Sequence, residues 1–268
     1  MSMRLSQEQV QQFQEDGYVM VPGFFPPEYM ELLIKIAKAD RVLDQQASNR
    51  RDAQGGVSRL RLRYDIEPDI YGAFAACERI VRNTELLLGK GVYHYHHKMM
   101  LKEPRIGGAW EWHQDYGYWY NYGFLFPDMI SAMIAVDRAS RKNGCLQVIR
   151  GSHKMGRIDH GKAGDQTGAN LERVEAALQR MELVYCEMEL GTVLFFHSNL
   201  LHCSDQNKSD DPRWSLICCY FAQDNKPYKH EPRFQPKPLE VWPDERILDI
   251  GRRQWEQMQA QATAVGNG

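Results

Sequence analysis

The chain has 268 residues, enough for one large domain, and its 43% of hydrophobic residues can build a sizeable core. A formal net charge of −2 offers no basic surface for nucleic acid or an anionic membrane. No apolar run reaches the roughly eighteen residues of a membrane span, and the opening MSMRLSQEQVQQF lacks the apolar stretch of a signal peptide. Cys77, Cys145, Cys186, Cys203, Cys218 and Cys219 contain no C-x-x-C pair. They read as buried free thiols in a reducing compartment, so the expected location is cytoplasmic.

In chain order, Ser6 and Gln9 form a capping box opening a short helix, with Val10 and Phe13 on its buried side and Gly17 ending it. Tyr18 to Val21 reads as a strand closed by Pro22-Gly23. Pro26 and Pro27 start a helix running to about Leu43, with Met30, Leu33, Ile34 and Ala37 at helical spacing. Gln45 to Gly56 is polar, ends in Gly-Gly, and reads as a mobile loop. Arg59 to Tyr64 alternates basic and apolar residues, a strand with Leu60, Leu62 and Tyr64 on one face. Arg59, Arg61 and Arg63 are then either a solvated face or a grip on an acidic substrate; the solvated face is the commoner outcome, and Arg61 is the one to watch. A second long helix spans about Asp69 to Leu88 and stops at Gly89.

From Val92 the texture becomes short β-rich segments between Gly, Pro, Asn and Asp: Val92–Leu101, Met129–Asp137, Cys145–Ile149, Leu183–Met188, Thr192–His197 and Trp214–Phe221. Leu171 to Met181 is helical and polar, an insertion over one end. A Pro-rich tail leads to a last helix from Asp244 to about Ala262. No internal repeat is visible. The expected fold is α+β, a jelly-roll core flanked by helices. One domain is expected, divided into a helical part to about residue 90, a core to 222, and a tail.

Three segments carry chemistry. In GAWEWHQDYGYW, His113 and Asp115 are two apart, so on a strand they point to one side and can reach one cation. Alone, an H-x-D is a weak signal that many polar strand edges carry. In GTVLFFHSNLLHCSDQNKSDDPRWS, His202 falls in a loop after a strand, and Arg213 opens the next strand with Ser215 on the same side. Two histidines and one carboxylate suit a borderline metal that keeps three positions free for a bidentate keto acid and oxygen. A guanidinium that cannot lose its proton is a suitable clamp for the far carboxylate of a dicarboxylic keto acid, and Ser215 can add a hydroxyl. On YHYHHKMMLK, period two puts His94, His96, Lys98, Met100 and Lys102 on one face, and Tyr93, Tyr95, His97, Met99 and Leu101 on the other. His94 and His97 read as structural. A cationic face inside a barrel needs anionic partners, which a dianionic keto acid near the metal would supply; this favours a role for His96, Lys98 and Lys102, with Lys98 or Lys102 as the second 2-oxoglutarate contact beside Arg213.

The runs HQDYGYW, NGCLQVIRGSHK and GTVLFFHSNLLHCSDQNKSDDPRWS, with the opening LSQEQVQQFQEDGYVMVPGFF, resemble the phytanoyl-CoA dioxygenase family, which includes ectoine hydroxylases. The resemblance spans about Val92 to Phe221. It implies a double-stranded β-helix dioxygenase using Fe(II), O2 and 2-oxoglutarate, with His113, Asp115 and His202 as metal ligands and Arg213 with Ser215 binding the keto acid. It further implies that Lys102 contacts 2-oxoglutarate, and that His96 and Trp119 face the substrate. Met133 is expected to pack beside the keto acid. Related halogenases carry Gly or Ala in place of the acid, so Asp115 favours hydroxylation. Tyr116, Tyr118, Tyr120 and Tyr122 read as core or barrel rim.

The expected reaction oxidises a small, polar or natural-product substrate and releases succinate and CO2. The alternatives are a cupin-like metalloenzyme without the keto acid, a non-catalytic small-molecule binder, and a nucleic-acid demethylase. The Arg213/Ser215 pair, the complete ligand set and the near-neutral charge weigh against these in turn.

Overall fold

A computed structural model describes residues 3–230 and 234–266. Helix α1 (Gln7–Asp16) starts on the expected capping box and ends at Gly17, whose φ of 83° favours glycine. After β1 (Tyr18–Val21), the helix expected to reach Leu43 is two: α2 (Pro27–Ala39) and α3 (Arg41–Gln46). Asp40 leaves helical geometry between them. One of its carboxylate oxygens caps Leu43 N and the other accepts from the Tyr71 hydroxyl.

The stretch read as a mobile loop contains β2 (Ser48–Arg51), paired antiparallel with β3 (Val57–Arg63). Its Ser-Asn-Arg-Arg shows no apolar alternation because β2 is the outer edge of its sheet and mostly exposed. The second long helix also divides, at Cys77, into α4 (Ile70–Ala76) and α5 (Glu78–Leu88). There Glu78 N donates to the Trp242 carbonyl and Trp242 N to that of Ala76, so tail backbone replaces helical bonds.

The core follows as β4 (Val92–Lys102), β5 (Trp110–His113), α6 (Asp115–Trp119), β6 (Met129–Ala135) and β7 (Leu146–Ile149). Next come β8 (His160–Ala163), β9 (Gln166–Ala169), α7 (Leu171–Leu178), β10 (Leu183–Cys186), β11 (Val193–His197), β12 (His202–Ser204), β13 (Arg213–Ala222) and α8 (Arg246–Gly266). The larger sheet has the order β1-β11-β6-β13-β4-β3-β2 and the smaller β10-β7-β12-β5, with β8-β9 a separate hairpin. This is the expected helix-flanked double-stranded β-helix.

Alternation along the strands makes two cores. Leu216, Cys218 and Tyr220 of β13, with Met99 and Leu101 of β4, face Phe13, Leu33, Phe74 and Ile80 of the helices. Ile217 and Cys219 face inward with Met100, Met133, Leu146 and Val148, between the sheets. A third cluster packs Val174 and Ala177 of α7 on Ile149 and Leu201, covering the outer side of the small sheet.

The strand β4 departs from simple alternation. Cys219 pairs with His96 but Tyr220 pairs with His94, so Tyr95 is an extra residue in a bulge. His94 therefore does not share a face with His96. It lies on the helix side with His97, their ring nitrogens 3.1 Å apart, and Tyr95 turns inward beside His96. Leu60 and Leu62 of β3, and Tyr64 just after it, pack inward as expected. Arg59 pairs with Asp44 and Arg63 with Asp69. Arg61 lies opposite Met99 on the helix side, away from the space between the sheets. All six cysteines are free and buried, and no helix among the described residues is long and apolar enough to cross a membrane.

Candidate metal centre and keto-acid pocket

The His113-Gln114-Asp115 run does not lie on one strand. β5 ends at His113, Gln114 is extended, and Asp115 begins the five-residue helix α6. The side chains still converge because Gln114 is fixed by its neighbours. Its amide nitrogen donates to the carbonyls of Gly156 and Asn199, and its amide oxygen accepts from Ile158 N. Its backbone N–H donates to His160 Nε2 at 2.9 Å. The His160 ring lies directly on Gly117, where an added Cβ would come within 2.0 Å of it. This explains the glycine in the Asp-Tyr-Gly turn. His202, expected in a loop, is the first residue of β12, and stands directly opposite His113 in the antiparallel register.

His113 Nε2 is 3.6 Å and His202 Nε2 3.9 Å from Asp115 Oδ1, and the three candidate ligand atoms all lie within 4.8 Å of one another. The other nitrogen of each ring meets a backbone carbonyl: His113 Nδ1 to Glu111 at 2.7 Å, and His202 Nδ1 to Leu200 at 2.8 Å. A carbonyl only accepts, so both Nδ1 atoms carry the proton and both Nε2 lone pairs face the carboxylate. Ser131 donates to Asp115 Oδ2 at 2.8 Å and Tyr118 to Oδ1 at 3.0 Å. Burial alone would raise the Asp115 carboxyl; the Lys98 ammonium is the standing cation among the groups that outweigh it and hold the carboxyl well below the usual carboxylate range. Burial pushes His202 down to about 3, keeping the imidazole neutral and able to ligate.

A cavity beside this cluster is lined by Lys98 and Met100 of β4, Met133 of β6, and Arg213 and Ile217 of β13, facing His113 and His202 of the small sheet. Arg213 opens β13, as expected. It is 4% exposed, its Nε has no partner, and burial pushes it down to about 10. Ser215, fully buried, likewise has an unpartnered hydroxyl. A guanidinium and a hydroxyl left orphaned beside two nitrogen donors and one carboxylate fit a divalent metal and a dicarboxylic keto acid.

Lys102 stands across the ladder from Arg213 and donates to Ser204 Oγ at 2.9 Å and to the Asp205 carbonyl. Burial and then Arg213 hold its pKa well below 10.5. His96 and Trp119 sit in an adjoining aromatic cluster, the indole edge-on to both His96 and Tyr95, and His96 Nδ1 is buried without a partner. Sequence reasoning missed Ser131, Tyr118, Gln114 and His160. Ser131 had a signal: it is the one hydroxyl in the otherwise apolar strand Met-Ile-Ser-Ala-Met-Ile-Ala.

This fold, with its candidate ligand atoms turned toward one point between the sheets, and the family of its relatives place the chain among the Fe(II)- and 2-oxoglutarate-dependent dioxygenases. The phytanoyl-CoA dioxygenase family model matches residues 13–215, and the chain belongs to that family. It is 32% identical to the L-proline trans-4-hydroxylase of Streptomyces griseoviridis over 173 residues, which span 56% of this chain and 65% of that relative. It is 26% identical to the ectoine dioxygenase of Halomonas elongata over 262 residues, 89% of this chain and 78% of the relative. The crystal structure of EctD from S. alaskensis with 2-oxoglutarate and 5-hydroxyectoine superposes with a TM-score of 0.74 at 24% identity, covering 90% and 89% of the two chains.

Proposed function

We propose that His113, Asp115 and His202 hold Fe(II), that Arg213 and Ser215 bind the far carboxylate of 2-oxoglutarate with Met133 packed against it, and that the enzyme hydroxylates a small polar molecule. What carries this reading is the combination of two Nε2 lone pairs facing one carboxylate with a buried, unpartnered guanidinium lining the same cavity. Bound iron and keto acid supply the activation of O2, with succinate and CO2 leaving as one oxygen atom passes to the substrate.

The protein's part is positioning. The Glu111 and Leu200 carbonyls fix the imidazole tautomers. Ser131 and Tyr118 hold the Asp115 carboxylate in one orientation and favour its ionised form. Arg213 offers a fork that matches a carboxylate, and the surrounding Met100, Met133, Phe196 and Ile217 keep that contact dry. Lys102 supports the Ser204–Asp205 turn just after His202 and extends the positive field around Arg213. Against the substrate stand His96 and Trp119. The buried free thiols fit a reducing compartment such as the cytoplasm.

Anaerobic titration of the metal-free protein with Fe(II) and 2-oxoglutarate tests the reading through the weak visible charge-transfer band of the chelate. The band is expected in wild type, absent in His113→Ala, and weakened in Arg213→Ala. Tight iron binding without the band means a cupin-like metalloenzyme that does not use the keto acid. No iron binding sinks the assignment altogether.

A further inference from the structure

Lys98 is a half-buried cation on the cavity wall, and it makes no hydrogen bond or ion pair among the described residues. The carboxylate that feels its charge is Asp115. A partly desolvated ammonium is costly unless an anion answers it. The charges around it decide what that anion is. On the dioxygenase reading, on which this step rests, the two charges of the metal and that of Arg213 are matched by Asp115 and the dianionic keto acid. Lys102 has its own acceptors in Ser204 Oγ and the Asp205 carbonyl, and the nearby Asp205 carboxylate answers its charge. Lys98 is the charge left over. The space beyond it is aromatic: His96, with its orphaned Nδ1, touches the rings of Tyr64, Tyr95 and Trp119.

We infer that Lys98 is an anchor for the substrate rather than for 2-oxoglutarate, and that the substrate is a small organic anion whose carboxylate pairs with this ammonium. Its carbon skeleton then lies toward the Tyr64–Tyr95–Trp119 rings, with a polar group for His96 Nδ1. Alternation along β4 supports the placement: Lys98 and His96 both point between the sheets, while His97 and His94 point to the helices.

The test uses the anaerobic Fe(II)–2-oxoglutarate protein, with 13C-acetate as the smallest carboxylate probe and 13C-acetamide as its uncharged counterpart. Binding is read as paramagnetic broadening of the probe's carbon lines, and keto-acid affinity is read independently from the chelate band. Wild type should broaden acetate and not acetamide. Lys98→Met should weaken acetate binding roughly tenfold or more while keeping the chelate band at its wild-type 2-oxoglutarate concentration, and Lys98→Arg should retain both. The inference is overturned if Lys98→Met shifts the band to higher 2-oxoglutarate concentration as Arg213→Met does, because Lys98 is then a keto-acid clamp. It is equally overturned if wild type binds neither probe or both alike, or if acetate binds wild type and Lys98→Met equally. Absence of the chelate band in wild type is a different failure, that of the dioxygenase assignment itself.

Discussion

Replacing Arg213 by methionine should make the ligand-free protein more stable and the keto acid unable to stabilise it further. Arg213 is 4% exposed and its Nε has no partner. Burial moves its pKa from 12.5 to about 10, which costs the folded state roughly 3–4 kcal/mol at neutral pH, where the group is charged whether folded or unfolded. Methionine keeps the unbranched apolar stem and removes the charge, so that cost disappears. For a chain of this size the gain amounts to a rise in Tm of roughly 5 °C. The same change removes a desolvated carboxylate contact of about 2 kcal/mol or more, a loss of at least roughly 30-fold in 2-oxoglutarate affinity. Thermal unfolding of both proteins, without metal and then with Mn(II) as a stand-in for Fe(II) and increasing keto acid, measures the two effects together. The reasoning is refuted if Arg213→Met lowers the Tm of the ligand-free protein, or if the keto acid raises both melting temperatures alike.

Gly117→Ala places a methyl group within 2.0 Å of the His160 ring. It should cost about 1–3 kcal/mol of stability and weaken metal binding by displacing the Gln114–Asp115 turn, and Gly117→Ala/His160→Ala should restore much of both. Equal metal affinity by calorimetry in wild type and Gly117→Ala would contradict that coupling. Acid should unfold the metal-free protein early. His94, His96, His97 and His202 are at most 7% exposed, and burial holds all four far below 6.5. Because the unfolded chain takes up their protons first, the stability present above pH 6.5 is lost as pH falls toward the folded values, at roughly 5 kcal/mol per pH unit for the four. Circular dichroism should find the midpoint above pH 4, and a fold intact at pH 3 would show these imidazoles titrating normally.

The features legible in the sequence were those with a local cause. The Ser6–Gln9 box, the stop at Gly17, the inward alternation of Leu60, Leu62 and Tyr64, and the start of β13 at Arg213 depend on residues within a few positions of one another. The errors came from contacts made far along the chain. Trp242 divides the helix at Cys77, Tyr71 secures the break at Asp40, and the Tyr95 bulge is defined only by its partner strand. The three candidate ligand residues, which the fold brings together, could be picked out by motif spacing, yet the helix under Asp115 and the three-residue strand under His202 could not. Neither segment is long enough to display a period.

The pairing of His113 with His202 across two short strands bears on which ion occupies the centre. A backbone ladder holds the two imidazoles side by side whether or not anything is bound, so the chelate is prepared in advance and pays little ordering entropy on loading. Such a site discriminates poorly by shape. Zinc, nickel and copper bind mixed nitrogen and oxygen sites more tightly than iron(II) does. On the proposed assignment selection then falls to supply: trace zinc in a purified preparation should inhibit turnover, and excess iron(II) should relieve that inhibition.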